Sequence, residues 1–170
     1  ITIAENLKKE RNVVVMLPAS LKNNFIYKGL LFCGDEEYKT NESRIKTKYT
    51  FVSYNASNKV KQLKNIGSLD NKVIIIEEVH NLISIIMSGL LGSSKDGKEI
   101  YNMLMNANNT KIIALSGTPL INDPFEAAIL FNILNGYNEI LYYRIIKIPS
   151  SFGVKDFETL EQKLIKAKKI

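Results

Sequence analysis

Four short apolar runs constrain the fold more than any other feature of the chain. They lie in "RNVVVMLP", "YTFVSYN", "KVIIIE" and "TKIIALS". Val13 to Val15 and the isoleucines of "KVIIIE" are β-branched, which favours extended backbone and a pleated, packed surface. A strand covered on one face only would alternate apolar and polar residues. These runs are continuous, so both faces are expected to be covered, as in a parallel sheet.

The intervening sequence turns helical. "SLKNNFIYKGLLF" places Leu21, Phe25 and Lys28 at helical spacing after Ser20, a candidate N-cap. "GDEEYKTNESRIKTK" is polar and reads as a surface connection. "ASNKVKQLKNIG" is a short basic helix ending at Gly67, and "NLISIIMSGLLG" a helix running to Gly92. "DGKEIYNMLMNAN" is amphipathic, with Asp96 and Glu99 at capping-box spacing. In "DPFEAAILFNILNG", Asp123 caps, Pro124 takes the first helical position, Glu126 completes a capping box and Gly136 ends the helix. Strands alternating with helices predict an α/β domain over residues 1–140. In residues 141–170 the pattern changes. "ILYYRIIKIP" reads as one more strand, and "FETLEQKLIKAKKI" as a basic helical tail or the start of a following segment.

Composition narrows the function classes. Apolar residues make up 45 % of 170, enough for a packed core. No apolar run approaches the ~18 residues of a membrane span. The opening "ITIAENLKKERN" lacks a signal-peptide pattern. Cys33 is the single cysteine, so neither a disulfide framework nor a Cys/His zinc cluster is available. It is expected to be a small packed hydrophobe in a reducing, intracellular setting. The net charge is +6, and 20 of the 23 basic residues are lysine. That is compatible with a polyanionic partner, and equally with solubility and an AT-rich coding sequence.

In open parallel sheets, ligands bind at the carboxyl ends of the strands. Three predicted strand ends carry polar or special residues: Pro18, Ala19 and Ser20; Glu77, Glu78 and His80; and Ser116, Gly117 and Thr118. A parallel arrangement brings the three together. Two adjacent carboxylates at the end of an apolar strand are costly without a cation to offset them. They form a Walker B pattern, in which the first acid holds Mg²⁺ through its water shell. The second orients, or takes a proton from, the water that attacks the γ-phosphate of ATP. The other reading is that both acids simply face solvent. His80 is the single histidine of the chain, two residues beyond the pair. "SGT" alone would be a turn and helix-capping element.

These segments resemble superfamily 2 helicases and translocases. "IIIEEVHNL" is similar to their motif II, the DExH box. "ALSGTPLINDPFEAAILFNIL" resembles motif III followed by the helix of the SWI/SNF-like branch. "VVVMLPASLKNNF" resembles motif Ia, and "FVSYNASN" the next strand and loop. The segments look like those of poxvirus-type nucleoside triphosphatases and transcription helicases of large DNA viruses, over roughly residues 1–136. The resemblance implies a RecA-like parallel sheet with helices on both faces. It puts Glu77 in the Mg²⁺ position and Glu78 in that of the catalytic base. His80, with Ser116, Gly117 and Thr118, would couple the nucleotide site to nucleic-acid movement. Pro18, Ala19 and Ser20 would follow a phosphate backbone, with Ser53, Tyr54 and Asn55 extending the track. For Tyr54 ordinary packing is the alternative. The implied partners are nucleic acid (DNA over RNA), a second RecA-like lobe and viral transcription proteins, in a virion or host cytoplasm.

Two departures stand out. The first acid of motif II is usually Asp, and here it is Glu77. No G-x-x-x-x-G-K-[ST] phosphate loop occurs in the 170 residues. The opening "ITIAENLKKERN" resembles the rest of the helix that follows such a loop. The chain is therefore expected to be an N-terminally truncated lobe of a larger motor, inactive alone. The competing expectation is a degenerate lobe kept as a nucleic-acid- or protein-binding module.

Overall fold

The computed structural model describes residues 1–7, 11–41, 43–119 and 123–136. The boundary at 140, the "ILYYRIIKIP" strand and the basic tail lie outside the described residues.

All four expected strands form. They are β1 (Val13–Leu17), β2 (Tyr49–Ser53), β3 (Val73–Glu77) and β4 (Lys111–Leu115). They make one all-parallel sheet of order β2-β1-β3-β4. The two central runs find the double coverage they require, whereas β2 and β4, the outer strands of the described sheet, are only partly covered. β1 is buried at every position, and β3 from Val73 to Ile76. Successive side chains point to opposite faces. Val14, Met16, Val52, Tyr54, Ile74 and Ile76 therefore join one core cluster, and Val13, Val15, Leu17, Tyr49, Val73 and Ile75 the other. Each fully buried Val or Ile contributes about 1.5–3 kcal/mol through removal of apolar surface from water.

Four helices cover the first face: α5 (Lys59–Ile66), α6 (Val79–Leu90), α7 (Lys95–Met105) and α8 (Phe125–Asn135). The second face is covered by α1 (Thr2–Leu7), a π-helical segment (Asn24–Leu30) running into α2 (Leu31–Cys33), α3 (Glu36–Thr40) and α4 (Ser43–Lys48). The fold is the expected α/β sheet with helices on both faces, consistent with a RecA-like arrangement. The connection from β1 to β2 runs over the second face, and that from β3 to β4 over the first. Connections thus diverge between β1 and β3, the switch point where open α/β sheets form their binding crevice.

Several local expectations change. The segment read as a surface connection forms α3 and α4. Asp35 caps α3 by accepting from the Glu37 N–H at 3.2 Å. Tyr38 and Ile45 turn into the core, and the Tyr38 ring meets the Tyr49 ring edge-on. Two buried side chains in a polar stretch are too few to create a periodic signal. Ser20 is not an N-cap but sits inside a 3₁₀ turn, Ala19–Leu21, that begins directly after Pro18. Cys33 is exposed, not packed, at the end of α2. The N-cap of α7 is Ser94, while Asp96 and Glu99 pair with Lys59 and Lys64 of α5 at 2.8 and 2.6 Å. At α8, Asp123 accepts from the Phe125 N–H at 2.7 Å, as its capping role requires. Glu126 is instead buried and accepts from the Ser84 hydroxyl of α6 at 3.1 Å.

Candidate active site at the carboxyl edge of the sheet

Parallel pairing carries every strand end to one edge. Leu17 is in register with Ser53, Met16 with Ile76, and Glu77 with Leu115. The segments beginning at Pro18, Tyr54, Glu78 and Ser116 therefore leave the sheet side by side. The acid pair lies next to the switch point.

Glu77 is the last residue of β3. Its Oε2 atom is buried and has no hydrogen-bond partner. Burial first, and the neighbouring Glu78 charge second, hold the Glu77 carboxyl above its ordinary range. An orphaned, partly desolvated carboxylate beside a second carboxylate fits a cation that would relieve both costs. Among the described residues, no group of three or more His, Cys, Asp or Glu side chains could hold a metal ion. Two adjacent carboxylates fit a cation that keeps most of its water shell.

Glu78 occupies the left-handed region, φ 52° and ψ 52°, between the end of β3 and the first turn of α6. A non-glycine residue there costs about 1–2 kcal/mol, so the surroundings must hold it. They do so through Tyr54, whose hydroxyl donates to the Glu77 carbonyl at 2.7 Å and lies 3.1 Å from that of Glu78. The Asn81 N–H donates to the Glu78 carbonyl at 3.0 Å.

His80 lies in the first turn of α6, and its Nδ1 stands between two oxygens. Ser116 Oγ is 2.7 Å away and Glu78 Oε2 is 3.4 Å away. The Ser116 hydroxyl also accepts from the Thr118 N–H at 3.2 Å. One short chain of contacts thus runs from the acid pair through His80 to the Ser116–Thr118 segment beyond β4. Gly117 and Thr118 are exposed.

The remaining expected residues divide by exposure. Ala19 and Ser20 are exposed and Pro18 is half-buried, so this turn offers backbone and hydroxyl groups at the same edge. Asn55 is exposed too. Ser53 Oγ is buried without a partner, and the Ser53 N–H donates to Gln62 Oε1 at 2.9 Å. The Tyr54 side chain is fully buried, leaving it no surface for a polyanion. Packing, the alternative reading of Tyr54, describes its ring, while its hydroxyl holds the acid-bearing turn. Sequence reasoning missed that hydroxyl contact, together with the roles of Asn81 and Gln62. A tyrosine directly after a strand gives no hint of which carbonyl its hydroxyl will meet.

The chain is similar to viral proteins of the nucleoside triphosphatase and helicase type. It is 32 % identical over 145 residues to the termination factor NPH-I homolog of African swine fever virus, covering 80 % of this chain and 20 % of that protein. A protein of Acanthamoeba polyphaga mimivirus, named as a putative ATP-dependent RNA helicase, is 31 % identical over 159 residues, which is 79 % of this chain and 26 % of that protein. The nucleoside triphosphatase I of Melanoplus sanguinipes entomopoxvirus is 28 % identical over 130 residues, 68 % of this chain and 19 % of that protein. The chain spans about a fifth to a quarter of the length of these relatives. No family model matches it. Among the described residues, no helix is long and apolar enough to cross a membrane.

Proposed function

We propose that this chain is part of the first RecA-like lobe of an ATP-dependent helicase or translocase, of the DExH type within superfamily 2 and of its SWI/SNF-like branch. In this reading residues 1–140 belong to the lobe and residues 141–170 lead into the following segment. The observation that carries it is the acid pair at the switch-point edge, with the orphaned Glu77 carboxylate and the His80–Ser116 contact leading away from it. The similarity to viral proteins named for nucleoside triphosphatase and helicase activity supports the same reading.

The reaction is hydrolysis of ATP by water attack on the γ-phosphate. Mg²⁺, when bound, would neutralise charge on the phosphate oxygens. Glu77 would hold the cation's water shell, and Glu78, more exposed and beside it, would orient the attacking water. His80 and Ser116 would relay the state of this site to Gly117 and Thr118. Pro18, Ala19 and Ser20, with Asn55, would contact a nucleic-acid backbone, DNA in preference to RNA; Ser53, with its hydroxyl buried and its N–H held by Gln62, would not. A phosphate-gripping loop and a second lobe would come from the rest of the parent protein. The setting would be viral transcription, in a virion or host cytoplasm.

The test is ATP turnover by the parent protein with DNA present. Glu78→Gln should lower turnover by at least 100-fold while leaving ATP binding intact. Equal turnover in the two proteins would refute the role given to Glu78. A second reading is favoured by Glu77 itself, whose side chain is one methylene longer than the usual Asp. It treats the lobe as a degenerate module that binds nucleic acid or protein without hydrolysis. A parent that binds DNA but hydrolyses no ATP would support that reading.

A further inference from the structure

We propose that Tyr54 is a positioning residue that ties the turn after β2 to the acid-bearing turn after β3. Contact made by a nucleic-acid backbone beside Tyr54 would thereby be felt at Glu78. The inference rests on the reading of Glu77 and Glu78 given above.

Glu78 is one of three non-glycine residues with positive φ among the described residues. Asn71 and Asn109, the other two, are of a type that visits this region readily. Glutamate is not, so something outside the turn must hold it there. Two peptide carbonyls flank the left-handed residue, those of Glu77 and Glu78. The Tyr54 hydroxyl reaches both, at 2.7 and 3.1 Å. The Asn81 N–H, in the first turn of α6, donates to the Glu78 carbonyl at 3.0 Å. Tyr54 is therefore fixed at its tip by the acid turn. Its ring is fixed by the core, where it is fully buried among Val52, Leu63, Ile76 and Val79.

Tyr54 belongs to the short turn that follows β2, and its neighbours face outward. Asn55 is exposed, Ala56 N–H bonds back to the Ser53 carbonyl at 3.2 Å, and Gln62 holds the Ser53 N–H. A displacement of this turn would therefore strain the Tyr54 hydroxyl against the two carbonyls it holds. β1 lies between β2 and β3 in the sheet, so the two turns have no backbone contact as strand neighbours. The buried phenol spans that gap.

The experiment uses the parent protein with Tyr54→Phe, which keeps the ring and removes only the hydroxyl. Amide exchange over residues 78–81 should rise by at least fivefold. The ratio of DNA-stimulated to basal ATP turnover, read with single-stranded and duplex oligonucleotides, should fall about tenfold. The KM for ATP should stay within about twofold, because the phenol does not touch nucleotide. Val52→Ala serves as a stability control, since it truncates the same core beside Tyr54 and should leave the ratio unchanged. Unchanged exchange and an unchanged ratio in Tyr54→Phe would overturn the proposal, as would an equal fall of the ratio in Val52→Ala. If Tyr54→Phe does not fold, Gln62→Ala, which releases the Ser53 N–H and so loosens the turn that carries Tyr54, is read in the same way. Indifference of turnover to Glu78→Gln would overturn the assignment of the site instead. Exchange over residues 78–81 would still decide whether Tyr54 holds the turn.

Discussion

His80 Nδ1 lies 2.7 Å from Ser116 Oγ, across 36 residues of sequence, and so joins the turn after β3 to the turn after β4. The same nitrogen stands 3.4 Å from Glu78 Oε2. A change of charge at the acid pair is therefore two contacts away from Ser116, and the Thr118 N–H bond to Ser116 Oγ is the third. Ser116→Ala removes the hydroxyl and leaves the imidazole in place. In the parent protein we expect DNA-stimulated ATP turnover to fall about tenfold, about 1.4 kcal/mol of barrier, with the KM for ATP little changed. Stimulation equal to that of the wild type would remove Ser116 from any coupling role.

Glu77 should oppose stability at neutral pH. Its folded-state pKa is raised from 4.5, chiefly by burial. A carboxyl whose folded pKa is raised gives its full stabilisation below the unfolded value, and loses it as pH rises through the folded value. Glu77→Gln should therefore raise the urea midpoint at neutral pH, and the gain should shrink as pH falls to about 4. The same substitution should abolish ATP turnover in the parent. A midpoint that falls at neutral pH would show that the carboxylate is not a source of strain.

Asp70 should act in the opposite sense. Its carboxylate accepts from the Asn108 N–H at 2.7 Å, and Ser68 Oγ accepts from the Asp70 N–H at 3.0 Å. The Asn108 bond first, and then the Ser68 hydroxyl donating to the carboxylate, hold its pKa below the ordinary value. That stability is present above the unfolded pKa and is lost as pH falls through the folded one. Asp70→Asn should flatten the acid limb of the stability profile without changing the profile near neutrality in shape. A titration of the urea midpoint from neutral pH into acid measures it, and an unaltered acid limb would contradict the assignment.

Gly97 should tolerate no side chain. It packs α7 against α6, and a Cβ built on it would meet the Ile85 carbonyl oxygen at 2.0 Å and the Gly89 Cα at 3.1 Å. The neighbour is backbone and cannot rotate away. Gly97→Ala should cost about 3 kcal/mol, the upper end of the range for overpacking, despite alanine's better helix propensity. Urea unfolding measures this. A loss under about 1 kcal/mol would mean that the two helices slide apart easily.

Much of the fold was legible because its signals are local. The runs at Val13–Leu17 and Val73–Ile76 carry no polar residue, and only a strand with helices on both sides can accept that. Asp123 and Gly136 bracket α8 as capping chemistry predicts. The short helices α3 and α4 were not legible, since Tyr38 and Ile45 are single anchors in polar stretches. Nor was the exposure of Cys33. A cysteine gives no periodic signal, and its surroundings depend on how the π-helical segment meets the sheet.

The candidate site divides in the same way. By itself the sequence determined that Glu77 and Glu78 end a buried strand, and that Ser116 to Thr118 and Pro18 to Ser20 end others. Chain order and apolar patterning suffice for that. Only the tertiary structure decided that His80 meets Ser116 and that Tyr54 holds the carbonyls of Glu77 and Glu78. It also left Glu77 Oε2 buried without a partner. Such contacts join residues tens of positions apart. They depend on strand order and register, which the packing of the whole sheet determines and no local stretch encodes.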